Sequence, residues 1–335
     1  MKPTLLRRAA TAAAITASLG LVGGTTVPAA AASGDGYAQE IAEGSRFVGT
    51  TGVYKWTAGW TTTEVIDDRY LFHLKESTGD VHVSELTASG TVGKLVYDQK
   101  WTTGWTEVEP FLGLVNGRAS TLLLEYKAST GQVHIQRFQD GRPTTVQSKS
   151  NIGIGWTDIV ETSSGLFAYN SSTGLAGFIS VDYRTGVALA SAPIRLTDIG
   201  KGWDLVDRIS HWSIAVVDTQ SGTAQIRSIS GSFSSGLTSS VHRTANWTSG
   251  YTYLEPLVIG GYYPGEGAFV VGKTGTGFLK IVDENLTTLD SQYLPGITGA
   301  AAFTMAGPST DCTRQNGVTA CVPGAYRDFL FLLSE

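Results

Sequence analysis

Cysteine is almost absent from this sequence: two in 335 residues, Cys312 and Cys321. That excludes a disulfide-stapled mini-domain and a cysteine-built zinc module. Charge is scarce as well, with 16% of residues charged and no basic block. A dilute, net acidic pattern gives no electrostatic footprint for nucleic acid or for an anionic membrane surface. Beyond the first residues no apolar run reaches the roughly 20 residues of a bilayer span. The five histidines (His73, His82, His134, His211, His242) show no metal-ligand spacing, and there is no nucleophile elbow, His-Glu-x-x-His helix or phosphate loop. Polarity is carried by Thr, Ser and the 41 glycines, and aromatics make up 10%. This is the composition of a turn-rich β-protein.

The N-terminus reads as an export signal. Lys2, Arg7 and Arg8 form a basic region, Ala9 to about Val22 an apolar one, and Pro28 to Ser33 supplies a small-residue cleavage site after Ala32. The expectation is a signal peptide over 1–32 and a single secreted, soluble domain over 33–335. Its loss removes three positive charges and leaves 21 Lys+Arg against 29 Asp+Glu, a net charge of −8. In an exported chain Cys312 and Cys321 read as a disulfide closing a short loop, worth about 2–3 kcal/mol at most.

The rest of the chain is a repeat. Trp101-Thr-Thr-Gly-Trp105-Thr recurs as Trp56-Thr-Ala-Gly-Trp60-Thr and Trp247-Thr-Ser-Gly-Tyr251-Thr, with thinner copies at Gly155-Trp156-Thr157 and Gly202-Trp203. The second aromatics, Trp60, Trp105, Trp156, Trp203 and Tyr251, are 45, 51, 47 and 48 residues apart. A second marker keeps the same order: the turns ending at Gly79, Gly131, Gly174 and Gly222, and a degraded copy read at Lys273-Thr274-Gly275. Within the second unit, Trp105–Leu112, Thr121–Tyr126 and Gln132–Phe138 read as strands, with a polar fourth strand after Asp140-Gly141. Units of 40–50 residues with four strands predict an all-β propeller of four-stranded antiparallel blades. A sixth unit, starting near Gly296 and holding residues 328–333, lacks two strands, which Tyr37–Ala42 and Arg46–Tyr54 can supply. The expected count is therefore six blades with a split closing blade, five and seven being the alternatives. The sixth unit also carries an insertion over 306–326, around the two cysteines.

Two residue sets are candidates for function. The first is the corner, Trp56, Trp60, Trp101, Trp105, Trp247 and Tyr251. Ile152 and Ile199 replace Trp at its first position, so that position requires apolar bulk, and packing competes with ligand stacking. The second set stands four residues past each corner: Glu64, Glu109, Asp207 and Glu255, with Val160 and its neighbour Glu161 in the third unit and Thr304 in the sixth. Such a ring could hold a cation in the central channel, or make one structural hydrogen bond per blade; the sequence leaves the metal question open and implies no other cofactor. Lys75, Lys127, Asn170 and Asp218, at one hairpin position, read as solvated, and His82 and His134 as equivalent strand-three residues.

The corner, followed by Leu122-Leu-Leu-Glu-Tyr-Lys-Ala-Ser-Thr-Gly-Gln-Val-His-Ile135, resembles the repeats of β-propeller lectins of the tachylectin and PLL-like type over about residues 37–335, and the Ala-rich signal looks actinobacterial. The resemblance implies shallow sugar sites between blades and a non-catalytic, multivalent carbohydrate-binding protein, with glycans or glycoconjugates as partners. Two other readings stand beside it. One is an interaction scaffold for a secreted protein partner. The other is a glycosidase- or lyase-type enzyme, which needs an asymmetric carboxylate cluster in the channel.

Overall fold

The computed structural model describes residues 35–334 apart from 43–45, 56–58, 68, 88–91, 116–117, 163–164, 180, 183–186, 189–193, 211, 233–235, 258–267, 274–275, 294–296, 307–310, 316–317 and 323–325; residues 35–55, 145–148, 181–196, 232 and 297–334 are described as backbone. Among the described residues there is no helix, and hence none long and apolar enough to cross a membrane. The strands form a β-propeller of four-stranded antiparallel sheets.

Five blades run in chain order, and their inner strands are Thr62–Ile66, Glu107–Val115, Asp158–Thr162, Leu205–Ser210 and Tyr253–Leu257. A further four-stranded sheet joins the two ends of the chain. Ile297–Ala306 is its inner strand, Tyr326–Ser334 the second, and Asp35–Ala42 and Arg46–Lys55 the outer two. Asp35–Ala42 pairs directly with the C-terminal strand, Ala38 opposite Phe331. The split sheet is thus the one foreseen from the repeat. Each inner strand contacts the next, and Ile297–Ala306 contacts both Tyr253–Leu257 and Thr62–Ile66, so the ring is closed and its inner edges are covered.

The second strands explain themselves. Tyr70–Leu74, Gly165–Tyr169 and Ser213–Val217 are largely apolar runs, His73 being the buried polar exception, because sheet faces pack on both sides of them. The core is accordingly spread over the seams between blades. Phe111, Leu122 and Leu124 of the second blade pack with Ile152, Trp156 and Leu166 of the third, and Val160 and Phe167 of the third pack with Trp203 and Val206 of the fourth.

The fifth hairpin corrects the reading of the turns. Gly277, not Gly275, is its turn glycine: its N–H donates to Lys273 O at 2.8 Å, as Gly79 donates to Lys75 O and Gly131 to Lys127 O. Lys273 therefore belongs to the same set as Lys75 and Lys127. Within the 306–326 excursion, Asp311–Gln315 pairs with Val318–Val322 and sets Cys312 opposite Cys321.

Candidate functional site

Each corner is built from the hairpin it leaves and the blade it enters. Trp101 donates its N–H to Gly79 O at 2.7 Å and Gly104 donates to Glu76 O at 3.1 Å, which stitches the corner to the first blade. Thr106 then donates to Tyr126 O at 2.8 Å and starts the second. Trp247 to Gly222 and Gly250 to Thr219 repeat the stitch at the fifth corner. The chain turns here because Gly104 and Gly250 take φ of 86° and 91°, where a side chain would strain the backbone.

The rings inside the corners are packing elements. Trp105 is 2% exposed, Tyr251 3%, Trp156 and Trp203 8%, and Trp60, Trp101 and Trp247 are half-buried. Trp56 lies outside the described residues. The hairpin lysines are not merely solvated, as the sequence suggested. Lys75 Nζ sits 4.7 Å from the Trp60 ring centroid, Lys127 Nζ 4.5 Å from Trp105, and Lys273 Nζ 4.6 Å from Tyr251. Lys127 also donates to Thr103 O at 2.7 Å, and Lys273 to Ser249 O at 2.5 Å. In the third and fourth blades Ile takes the first corner position and the lysine is gone: Asn170 and Asp218 instead accept backbone N–H groups of their own hairpins.

Strand three adds a nitrogen base beside the same rings. His82 lies 4.7 Å from Trp60, His134 4.6 Å from Trp105, and Lys280, three residues past Gly277 as His134 is past Gly131, 4.8 Å from Tyr251. His134 faces Glu125 at 3.7 Å across the sheet. Burial pushes the Glu125 carboxyl up to about 8, against the opposing hydrogen bond from Gln136 and the Lys127 charge. Burial pulls the His134 imidazole down, helped by Lys149 and Lys127. The first blade buries His73 at the position of Glu125; burial, then His82, lowers it well below an ordinary histidine.

The channel carboxylates come from the inner strands, and each of Glu64, Glu109, Asp207 and Glu255 keeps part of its surface. They do converge. Burial raises the Glu109 carboxyl well above its ordinary range, and the negative charges of Glu64 and then Asp207 add to the rise, offset by the Glu161 N–H. That N–H donates to Glu109 Oε1 at 2.6 Å, across the seam between the second and third blades. Glu161 is the odd member: Oε1 accepts the Leu112 N–H at 3.0 Å, and Oε2 lies 3.3 Å from Arg208 Nη1 of the fourth blade. Arg208 was missed in the sequence; its signal is that it follows the ring residue Asp207, as Glu161 follows Val160. The ring is therefore not regular, since Glu161 and Arg208 break its one-carboxylate-per-blade pattern. Among the described residues no group of three or more His, Cys, Asp or Glu is arranged to hold a metal ion.

No family model and no curated protein matches the chain. Solved structures with similar shape include a 6-phosphogluconolactonase-like protein of Bacteroides fragilis, 11% identical over 92% of this chain and 99% of that one, with a TM-score of 0.48. A streptogramin B lyase is 10% identical over 89% and 98%, TM-score 0.45, and a virginiamycin B lyase of Staphylococcus aureus is 9% identical over 84% and 85%, TM-score 0.40. At such identities the likeness concerns the fold and nothing finer. The lectin expectation does not survive: of the corner rings that were to stack on sugars, Trp105 and Tyr251 are buried in the seams, and Trp60 and Trp247 lie against the ammonium groups of Lys75 and Lys280. The chain is a β-propeller with distant structural neighbours, and the tachylectin-type kinship suggested by its repeat finds no support among them.

Proposed function

We propose that the functional site is the central channel and that it performs acid–base chemistry on an uncharged or cationic small molecule, as a hydrolase- or lyase-type propeller. The observation that carries this reading is Glu109. A carboxyl raised by burial and by two neighbouring carboxylates holds its proton more tightly than an ordinary one, and it stands beside two further carboxyl groups, Glu64 and Asp207. Two carboxyl groups held in different protonation states are what cleavage of a C–O bond uses: one gives a proton to the leaving oxygen, the other receives one. Arg208, tied to Glu161, places a fixed positive charge at one side of this set. The surplus of negative charge disfavours anionic substrates.

The test is a screen of the purified chain against uncharged chromogenic glycosides and esters, with a pH profile for any substrate turned over. The reading expects a bell-shaped profile and loss of turnover in Glu109→Gln with the melting temperature retained. A Glu109→Gln variant as active as the parent, or no turnover across the panel, overturns it.

The export signal over 1–32 and a Cys312–Cys321 disulfide belong to the same proposal. Directly opposed residues of an antiparallel pair have the Cα separation a disulfide requires. Thiol titration of the unfolded, unreduced protein tests it: no free thiol is expected, and two overturn the pairing.

A further inference from the structure

Among the described inner strands, those of the five consecutive blades all carry carboxylates, and Arg208 is the one cationic residue. Its guanidinium is held from one side, with Nη1 3.3 Å from Glu161 Oε2. Glu161 is itself fixed: its Oε1 accepts the Leu112 N–H at 3.0 Å, and its own N–H donates to Glu109 Oε1 at 2.6 Å. The backbone N–H of Arg208 donates to Asp207 Oδ1 at 2.6 Å. Among the described residues no second group bonds the guanidinium, and 33% of the side chain is open. Since the fork has five N–H donors, most of it is left for a molecule in the channel.

This placement bears on which bond the channel cuts. Cleavage of a glycoside builds positive charge on the sugar ring, which a neighbouring guanidinium opposes. Cleavage of an ester builds negative charge on the carbonyl oxygen, which the same guanidinium stabilises. On the reading that the channel is the functional site, we propose that Arg208 receives the carbonyl oxygen of an uncharged carboxylic ester, so that the channel hydrolyses esters and not glycosides. Water adds to the carbonyl carbon and gives a proton to a channel carboxylate, Glu64 or Asp207, while the carbonyl π pair moves onto oxygen beside Arg208. The pair then returns to re-form the C=O bond, the C–O bond to the leaving group breaks, and the leaving oxygen takes a proton from Glu109. The proton held by the carboxylate restores Glu109. Ester and water become acid and alcohol, and no other reactant is consumed. Glu161 is the positioning residue, fixing one edge of the fork and leaving the other to the substrate.

The experiment compares p-nitrophenyl acetate and butyrate with uncharged p-nitrophenyl glycosides, for the parent chain, Arg208→Gln, Arg208→Lys and Glu109→Gln, each with its melting temperature. Only the esters should be turned over. Arg208→Gln should lower kcat by about 10²–10³-fold, the usual loss of one oxyanion donor, with KM changed little because the charge develops in the transition state. Arg208→Lys keeps the charge without the fork and should fall between. An arginine that merely ties the fourth blade to the third would lower the melting temperature and leave kcat unchanged. That outcome overturns the proposal, and should Arg208→Gln not fold, parent-like kcat in Arg208→Lys does the same. Ester turnover abolished by Glu109→Gln yet untouched by Arg208→Gln overturns the role of Arg208 alone. Glycoside turnover without ester turnover overturns the ester assignment and leaves the channel reading standing, whereas no turnover of either class overturns both.

Discussion

Glu109 and Glu161 hold each other's strands. The Glu161 N–H donates to Glu109 Oε1 at 2.6 Å, while Glu161 Oε1 accepts the N–H of Leu112, three residues beyond Glu109, at 3.0 Å. Two carboxyl groups thus clamp the second blade to the third, and the second of them reaches on to Arg208 in the fourth.

The clamp makes a test of pH and of shape. Glu109 has a folded pKa above its unfolded one, so its contribution to stability is whole below about 4.3 and is lost as pH rises through the raised value. Glu109→Gln keeps an acceptor for Glu161 and should flatten this dependence in urea titrations between pH 4 and 9. Glu109→Ala leaves the N–H unpaired and should cost about 1–3 kcal/mol at pH 4, and less as pH rises and the parent loses its own contribution.

Glu125 behaves in the same sense within a stated window. Its contribution is complete below about 4.3 and fades as pH climbs to about 8. His73, lowered by burial, acts oppositely: what it contributes above about 6.5 is lost as pH falls towards its folded value. Glu125→Gln should therefore raise the melting temperature at pH 9 and leave it nearly unchanged at pH 4. The reverse ordering would refute the assignment.

Trp105→Ala should destabilise the protein by about 3–5 kcal/mol, because it removes a ring that is 2% exposed from a packed seam. The matching loss at Trp101, which is only half-buried, should be smaller. Equilibrium denaturation of the two variants separates them.

Lys127→Met removes the ammonium over Trp105 and its bond to Thr103 O, and should cost about 1–2 kcal/mol, the sum of a cation–π contact and one hydrogen bond. Asn170→Met at the equivalent position should cost its turn bonds and change no ring environment. Near-ultraviolet circular dichroism reads the difference.

Gly131→Ala tests how the hairpin supports the following corner. Gly131 has φ of 74°, and a Cβ there would meet the Gly153 carbonyl at 2.6 Å. Strain and displacement together should cost at least about 2 kcal/mol; a neutral substitution would mean that the third corner is free to move.

The periodic markers sufficed to place the blades and to find the split sheet, because an aromatic corner and a turn glycine impose local backbone geometry that the sequence must state in every unit. Gly277 escaped because Gly275 offers a competing turn two residues earlier, and only the bond from Gly277 to Lys273 O separates them. That misplacement hid Lys273 and Lys280 together. The carboxylates were visible as an alignment of Glu64, Glu109, Asp207 and Glu255, and the action of Glu64 and Asp207 on Glu109 follows their shared register. The asymmetry of the set was not visible. Glu161 and Arg208 are 47 residues apart, and their pairing depends on how three successive blades are rotated against one another. The fate of the corner rings was settled by the fold as well. A Trp reads alike whether it is to stack on a ligand or fill a seam, and whether its face stays open depends on which side chains the neighbouring strands bring over it. Local geometry is written along the chain; burial, the neighbours of a charge and the free face of a ring exist only once distant segments meet.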